Sequence, residues 1–122
     1  MPPEAVGYHD TEDRFEGCER FALRVIGDSM DLVAPHGSIV VCVKLIDVGR
    51  SPRNGEIVVV MHRTPHGFMD ATLKQYIEQE GQVYLWPRSS SPEHQSPIKF
   101  NDHGEDDHTV IYAIAFKVIR DL

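Results

Sequence analysis

Residues 38–62 read SIVVCVKLIDVGRSPRNGEIVVVMH, and two apolar runs within this stretch decide the fold class. The first run covers residues 38–46 and the second covers residues 56–62; both are rich in valine and isoleucine. Short runs of this composition are typical of β-strands. Asn54-Gly55 stands just before the second run and readily takes the positive φ angles that a strand reversal needs. The stretch therefore predicts two strands joined by a turning segment.

Further short strands are predicted on both sides of this stretch. Phe21, Leu23 and Val25 alternate with other residues at period 2, and the run stops at Gly27. Later runs are QVYLWP, IKF and the long closing TVIYAIAFKVIRDL. The closing run is apolar on both faces for much of its length, which indicates either burial within the sheet or a subunit interface.

The segment ATLKQYIEQEG, residues 71–81, has two readings. It could form a short helix that ends at Gly81. We predict a strand instead, because Thr72 and Tyr76 flank Lys74 at period 2 and the following EGQ suits a hairpin turn. The whole chain then has about seven strands and almost no helical periodicity. This pattern predicts a mainly β fold, with mostly antiparallel strands in a curled, barrel-like sheet.

Length and composition limit the organisation and the function classes. A chain of 122 residues is expected to form about one domain. Residues 1–20 lack a sustained apolar period and predict an extended arm or linker remnant, followed by one folded domain at 21–122. The longest apolar run, 39–43, is far shorter than the roughly 20 residues that span a bilayer. We therefore expect a cytoplasmic protein without membrane contact.

Charge and ligand-type residues exclude other classes. The chain has 12 Lys and Arg against 19 Asp and Glu, a net charge of −7, which disfavours direct binding to nucleic acid. Cys18 and Cys42 lack the spacing of a metal motif. HGEDDH at 103–108 holds ligand-type side chains, but we predict a solvated acidic loop. No metal and no cofactor are expected.

The tetrapeptide Gly27-Asp28-Ser29-Met30 is the candidate for chemistry. A serine hydroxyl is a weak nucleophile until a base takes its proton, and a turn-forming serine is the plain alternative. The seven histidines fall mostly in predicted loops, and the sequence brings none of them to Ser29. Lys74 could be the base if an apolar setting lowers its pKa, whereas most lysines are solvated.

The order of several motifs resembles one family over about residues 21–120. It is the C-terminal peptidase domain of LexA-like repressors, phage repressors and UmuD mutagenesis proteins, which carries a Ser-Lys dyad. The resemblance implies that Ser29 is the nucleophile and Lys74 the general base, with Met30 packed beneath the serine. It also implies that the backbone N–H groups of Asp28 and Ser29 face the developing oxyanion. The motifs are VIGDSM, PHGSIVVC, RNGEIVVV, ATLKQY, VYLWPRSSSPEHQSPI and VIYAIAFKVIR.

The chain departs from the family pattern at several places. Gly37-Ser38 stands where the family usually has Gly-Asp, Glu93-His94-Gln95 lacks the usual tyrosine, and Ala113 replaces a frequent glycine. Family members cut their own linker at an Ala-Gly or Cys-Gly bond, and the arm offers only Val6-Gly7. The family's helix-turn-helix domain is not found in these 122 residues, so we expect any DNA binding to belong elsewhere.

The resemblance implies a function and its partners. The first hypothesis is a LexA-type autopeptidase domain of a repressor or SOS-response protein that cleaves its own linker peptide. The RecA filament would promote the cut, and the domain would form a homodimer. The alternative is a non-cleaving dimerisation or interaction module of a transcriptional regulator, or a UmuD-like polymerase accessory factor. A signal peptidase shares the Ser-Lys chemistry but would require a membrane anchor.

Overall fold

The computed structural model describes residues 15–63, 65–67, 69–100 and 109–120. These residues form seven strands and one short helix, so the predicted mainly β fold is confirmed. Among the described residues no helix is long and apolar enough to cross a membrane. In chain order the elements are β1 (Arg20–Arg24), β2 (Ile39–Lys44), α1 (Leu45–Val48), β3 (Ile57–Arg63), β4 (Met69–Gln79), β5 (Gln82–Trp86), β6 (Ile98–Phe100) and β7 (Thr109–Ile119).

All seven strands belong to one antiparallel sheet in the order β1-β2-β7-β3-β4-β5-β6. The sheet is mildly curled and does not close into a barrel. The closing strand β7 lies between β2 and β3, which explains why its middle is apolar on both faces. Ala113 and Ala115 enter one hydrophobic cluster, whereas Ile114 between them enters another.

Two local predictions have different outcomes. Residues 71–81 were the ambiguous segment, and the predicted strand is confirmed by β4, which turns into β5 through Glu80 and Gly81, both at positive φ. The first apolar run, by contrast, was predicted as strand over 38–46, but β2 ends at Lys44. Leu45–Val48 forms one helical turn, because Gly49 takes a left-handed conformation with φ of 75° and its N–H closes on the carbonyl of Leu45.

The largest hydrophobic cluster connects opposite parts of the curled sheet. Val25 after β1, Met30, Val59 on β3 and Leu73 on β4 belong to this cluster. Met30 is 2% exposed, and burial of a methionine side chain stabilises a fold by about 1.5–3 kcal/mol. A second cluster, around Val58, Val60, Tyr76, Leu85 and Ile111, fills the space near β5. Met30, which follows Ser29, thus anchors the segment that carries Ser29 to the core.

The described part of the predicted arm, residues 15–20, lies against the sheet. Phe15 is buried and its ring centroid is 5.0 Å from that of Phe116 on β7. Arg20 donates hydrogen bonds to the carbonyl oxygens of Phe15 and Cys18. The remainder of the predicted arm and the acidic stretch 103–108 lie outside the described residues.

Candidate active site

Residues 27–32, here called the serine turn, follow β1 and carry Ser29. Gly27 begins the turn at φ of 91°, a region that glycine adopts without steric cost. Its N–H donates to Nδ1 of His36 at 2.9 Å. On the other side of the turn, the N–H groups of Val33 and Ala34 donate to the carbonyl of Met30 at 2.9 and 2.7 Å. The backbone on both sides of Ser29 is therefore held by local hydrogen bonds.

A second segment, residues 88–95, fastens the serine turn from outside and is called the clamp loop here. The N–H of Arg88 donates to the carbonyl of Ser29 at 3.0 Å, and the N–H of Leu32 donates to the carbonyl of Arg88 at 3.0 Å. Ser90 donates to the Asp31 carboxylate through both its N–H and its hydroxyl. Both bonds lower the pKa of Asp31, and the bond from the Ser90 hydroxyl has the larger effect. The clamp loop and the serine turn form one hydrogen-bonded unit.

Strand register places this unit beside β4, the strand that carries Lys74. Gln75 on β4 is paired with Trp86 on β5, and the ladder recorded between these strands starts there. If β5 continued in the same register, its next two residues would lie opposite Lys74 and Leu73. The second of these residues is Arg88, whose N–H is bonded to Ser29 instead. The serine turn therefore lies along β4 at the level of Leu73, the residue before Lys74.

An open groove lies between Ser29 and β4. It has a volume of about 140 Å³ and lies between the end of β1, the serine turn and β4. Ser29 lines it together with the three residues that precede Lys74 in the sequence. Most of the remaining lining is apolar, and the full set is Leu23, Arg24, Val25, Ile26, Ser29, Met30, Val40, Val59, Ala71, Thr72 and Leu73.

Lys74 lies in a partly desolvated environment. It is paired with Val58 in the β3–β4 ladder and is half-buried. Burial lowers the pKa of its amine, because the ammonium form loses solvation. Within the described part of the chain, no hydrogen bond joins the Lys74 amine to the Ser29 hydroxyl, and no carboxylate is paired with the amine. The structure brings the serine turn to the strand of Lys74 without a direct bond between the two groups.

The peptide N–H groups of Asp28 and Ser29 were assigned to the oxyanion by resemblance. Among the described residues, neither N–H has an acceptor within the chain. The backbone carbonyl of Asp28 accepts a hydrogen bond from Ser89 Oγ at 2.6 Å. The side-chain carboxylate oxygen Oδ1 of Asp28 lies 3.0 Å from Nε2 of His94. In the part of the chain that the structure describes, both donors are therefore without an acceptor, while the Asp28 carbonyl beside them is held by Ser89.

Sequence reasoning missed the clamp loop. Its composition indicated only a Ser/Pro-rich connection, because the partners of Ser89 and Ser90 lie about sixty positions earlier in the chain. The histidines were considered as bases, and two of them do lie near the serine turn. His36 accepts from Gly27 and His94 contacts Asp28, while His62 is bonded to Thr109 at 3.0 Å. In the described residues no histidine is hydrogen-bonded to the Ser29 hydroxyl.

In the described part of the chain, no three His, Cys, Asp or Glu side chains are grouped as a metal site would require. Cys18 and Cys42 are free thiols, and burial raises the pKa of Cys42 to about 12. Cys42 therefore fills space in the core, as its place in β2 indicates.

Comparison with known proteins is consistent with this geometry. No curated protein and no solved structure was found to match the chain. A family model, described as Peptidase S24-like, matches residues 8–115. The matched range includes the serine turn, the groove, Lys74 and the clamp loop. The resemblance to LexA and UmuD peptidase domains is thereby confirmed at the level of the family, and the chain belongs to the Peptidase S24-like family.

Proposed function

We propose that this chain is a LexA-type autopeptidase domain, in which Ser29 and Lys74 form the dyad that cleaves a peptide segment of its own polypeptide. One observation supports the proposal most strongly. Ser29 lines a groove together with residues 71–73 of β4, which directly precede Lys74, and burial lowers the pKa of the Lys74 amine. The amine can then be neutral closer to physiological pH, as a general base must be.

The chemistry follows from these two groups. Neutral Lys74 accepts the proton of the Ser29 hydroxyl as the oxygen attacks the peptide carbonyl carbon. The oxyanion is stabilised by the N–H groups of Asp28 and Ser29. Lys74 then gives the proton to the leaving amine as the C–N bond breaks, and water hydrolyses the remaining ester by the same route. The hydrogen bond between Ser29 and Lys74 forms when substrate fills the groove, because catalytic hydrogen bonds often tighten only in the complex.

The groove is suited to an extended peptide. In the described residues β5 pairs with β4 only from Gln75 onward, so the edge of β4 at 71–73 has no strand partner on the side of the serine turn. A peptide in the groove could pair with this edge by strand addition, and the apolar side chains of Leu23 and Val25 would contact its side chains. The substrate class we propose is an apolar, extended segment of the chain's own linker.

The cellular role of the domain and its partners are proposed from the family resemblance. The domain would act in a repressor or an SOS-response protein, as a homodimer whose self-cleavage is promoted by the RecA filament. The structure offers one feature that suits a dimer. Val110 and Tyr112 on β7 are 52% and 38% exposed, although both are large apolar side chains.

Self-cleavage of the full-length gene product tests the proposal. Purified protein is incubated at pH 7 and pH 10, and mass spectrometry records the fragments. We expect faster cleavage at pH 10, and no cleavage for Ser29→Ala or Lys74→Ala. Ser91→Ala is a matched control, because in the described structure the Ser91 hydroxyl is hydrogen-bonded within the clamp loop, where it accepts from the N–H of Glu93. An intact wild type, or cleavage that survives Ser29→Ala, would overturn the dyad.

One observation favours a second candidate function. The Ser29 hydroxyl and the Lys74 amine share no hydrogen bond in the described structure. A non-cleaving dimerisation or interaction module would keep the fold and the exposed β7 side chains without needing that bond. Dimerisation together with complete absence of cleavage at both pH values would favour this candidate.

A further inference from the structure

We infer that Ser89 is a positioning residue that aims the Ser29 N–H at the oxyanion. This inference rests on the proposed function, because it assigns a role within the same site. The starting observation is that Ser89 Oγ donates to the carbonyl of Asp28 at 2.6 Å. Ser89 is only 6% exposed, so a polar side chain has been buried at this place.

The orientation follows from peptide geometry. The carbonyl of Asp28 and the N–H of Ser29 belong to one peptide unit, which is planar and points the two groups in opposite directions. A hydrogen bond that fixes the carbonyl therefore also fixes the direction of the N–H. The next peptide unit is fixed in the same way, because the carbonyl of Ser29 accepts from the N–H of Arg88. The two peptide units on either side of Ser29 are thus held by neighbouring residues of the clamp loop.

The hydroxyl of Ser89 is held by two hydrogen bonds. It accepts from the N–H of Ser91 at 3.0 Å and donates to the carbonyl of Asp28, while the Asp31 carboxylate is a second acceptor near it. Gln95 Nε2 donates to the carbonyls of Ser89 and Ser91 at 2.8 and 2.7 Å and so fixes the backbone of the same loop. This chain of bonds runs Ser91 N–H to Ser89 Oγ to Asp28 C=O, and successive bonds polarise one another. The Ser29 N–H at its end becomes a stronger donor.

If Ser89 had only a structural role, Ser89→Ala would lower the stability of the protein and nothing else. The test therefore measures how well the oxyanion is stabilised. An alanine ester and its thionoester analogue differ only in the atom that becomes the anion, and sulfur is the poorer hydrogen-bond acceptor. We expect Ser89→Ala to slow ester hydrolysis at Ser29 about 10-fold, less than the 10²–10³-fold loss of a whole oxyanion donor, because the N–H remains but is no longer aimed. The ratio of ester to thionoester rates should fall.

Two matched variants separate this effect from stability. Ser91→Ala removes a hydroxyl from the same loop but keeps the backbone N–H that Ser89 Oγ accepts, so the rate ratio should stay at the wild-type value. Ser38→Ala removes another buried serine hydroxyl, which donates to the carbonyl of Pro35. It should destabilise the protein to a similar extent without changing the rate ratio.

A second measurement does not depend on activity. In the nuclear magnetic resonance spectrum, the carbonyl carbon of Asp28 and the amide nitrogen of Ser29 report the hydrogen bond to this peptide unit. Ser89→Ala should shift both signals, and Ser91→Ala should leave both in place. Unshifted signals would overturn the inference. Shifted signals with an unchanged ester to thionoester ratio would overturn the oxyanion role. Wild-type protein that shows no hydrolysis dependent on Ser29 would overturn the proposed function and the oxyanion assignment with it.

Discussion

The backbone N–H of Arg88 donates a hydrogen bond to the carbonyl of Ser29 at 3.0 Å, so the candidate nucleophile is tied to the end of β5. β5 is paired with β4, the strand that carries Lys74. The two halves of the proposed dyad are thus connected through a short path of backbone hydrogen bonds. Any change to the serine turn should consequently alter chemistry at Ser29 before it unfolds the sheet.

Gly27→Ala tests the serine turn. Gly27 has φ of 91° and an added Cβ would meet no atom within 4 Å, so the cost is conformational and amounts to about 1–2 kcal/mol of unfolding free energy. We also expect Ser29 to react several-fold more slowly with a fluorophosphonate probe. Gly81→Ala is the control, because Gly81 has φ of 79°, equally open space and a place in the β4–β5 hairpin. Equal labelling rates in the two variants would contradict this prediction.

Lys74→Met tests the cost of burying the amine. Burial lowers the pKa of Lys74, so the native state releases a proton at a lower pH than the unfolded state does. The cost is therefore present in full below the lowered pKa, and it disappears as pH rises toward the ordinary value of 10.5. We expect the methionine variant to be at least as stable as the wild type at pH 7, with the advantage shrinking by pH 10.

Urea unfolding at several pH values measures this difference. Lys99→Met is the matched control, because Lys99 is an exposed strand lysine on β6 and its removal should give no such pH dependence. A stability difference between wild type and Lys74→Met that stays constant from pH 7 to pH 10 would show that the amine is not desolvated.

The sequence was sufficient for the strands and for proposing a candidate serine, but not for the arrangement of the strands. Runs of β-branched residues predict strands because the signal is local, and seven of them are found. The insertion of β7 between β2 and β3 depends on contacts between distant segments, which no local pattern records. The helical turn at Leu45–Val48 was missed for a different reason. Leu45 and Ile46 continue the apolar run of β2 in the sequence, but they begin a helical turn that Gly49 ends.

The candidate site shows the same division. Ser29 and Lys74 could be proposed because each stands in a recognisable motif. Ser89 could not, since its partner carbonyl belongs to Asp28 and a carbonyl group has no residue signature. Positions that act through the backbone of another residue are therefore the part of this site that requires coordinates.

Glu56→Gln tests the segment between β2 and β3. The Glu56 carboxylate accepts from Nη1 and Nη2 of Arg50 at 3.0 and 3.2 Å and also from the N–H of Arg53. Burial raises the pKa of Glu56, but the hydrogen bonds from Arg50 and Arg53 outweigh it, so the pKa lies below its ordinary value. The stabilisation is thus present at neutral pH and lost as pH falls through the lowered pKa.

We expect Glu56→Gln to lower the free energy of unfolding by about 1 kcal/mol at pH 7, a value typical of a partly exposed ion pair. Denaturant unfolding at pH 7 and pH 3 measures the effect, which should shrink at the lower pH. Glu78→Gln, at an exposed position of β4, should change stability little at either pH. A loss for Glu56→Gln that is as large at pH 3 as at pH 7 would contradict the charge-based explanation.

The pH profile of Ser29 labelling tests the base directly. If Lys74 accepts the serine proton, the rate of fluorophosphonate labelling should rise with pH and reach half its maximum below 10.5, since burial lowers the pKa of the amine.

Lys74→Arg keeps a long cationic side chain that stays protonated at these pH values. It should therefore slow labelling by about 10²–10⁴-fold, the usual contribution of a general base, and remove the rise with pH. Lys99→Arg should leave both the rate and its profile unchanged. A profile that keeps its midpoint in Lys74→Arg would assign the titrating group to another residue and would remove Lys74 from the mechanism.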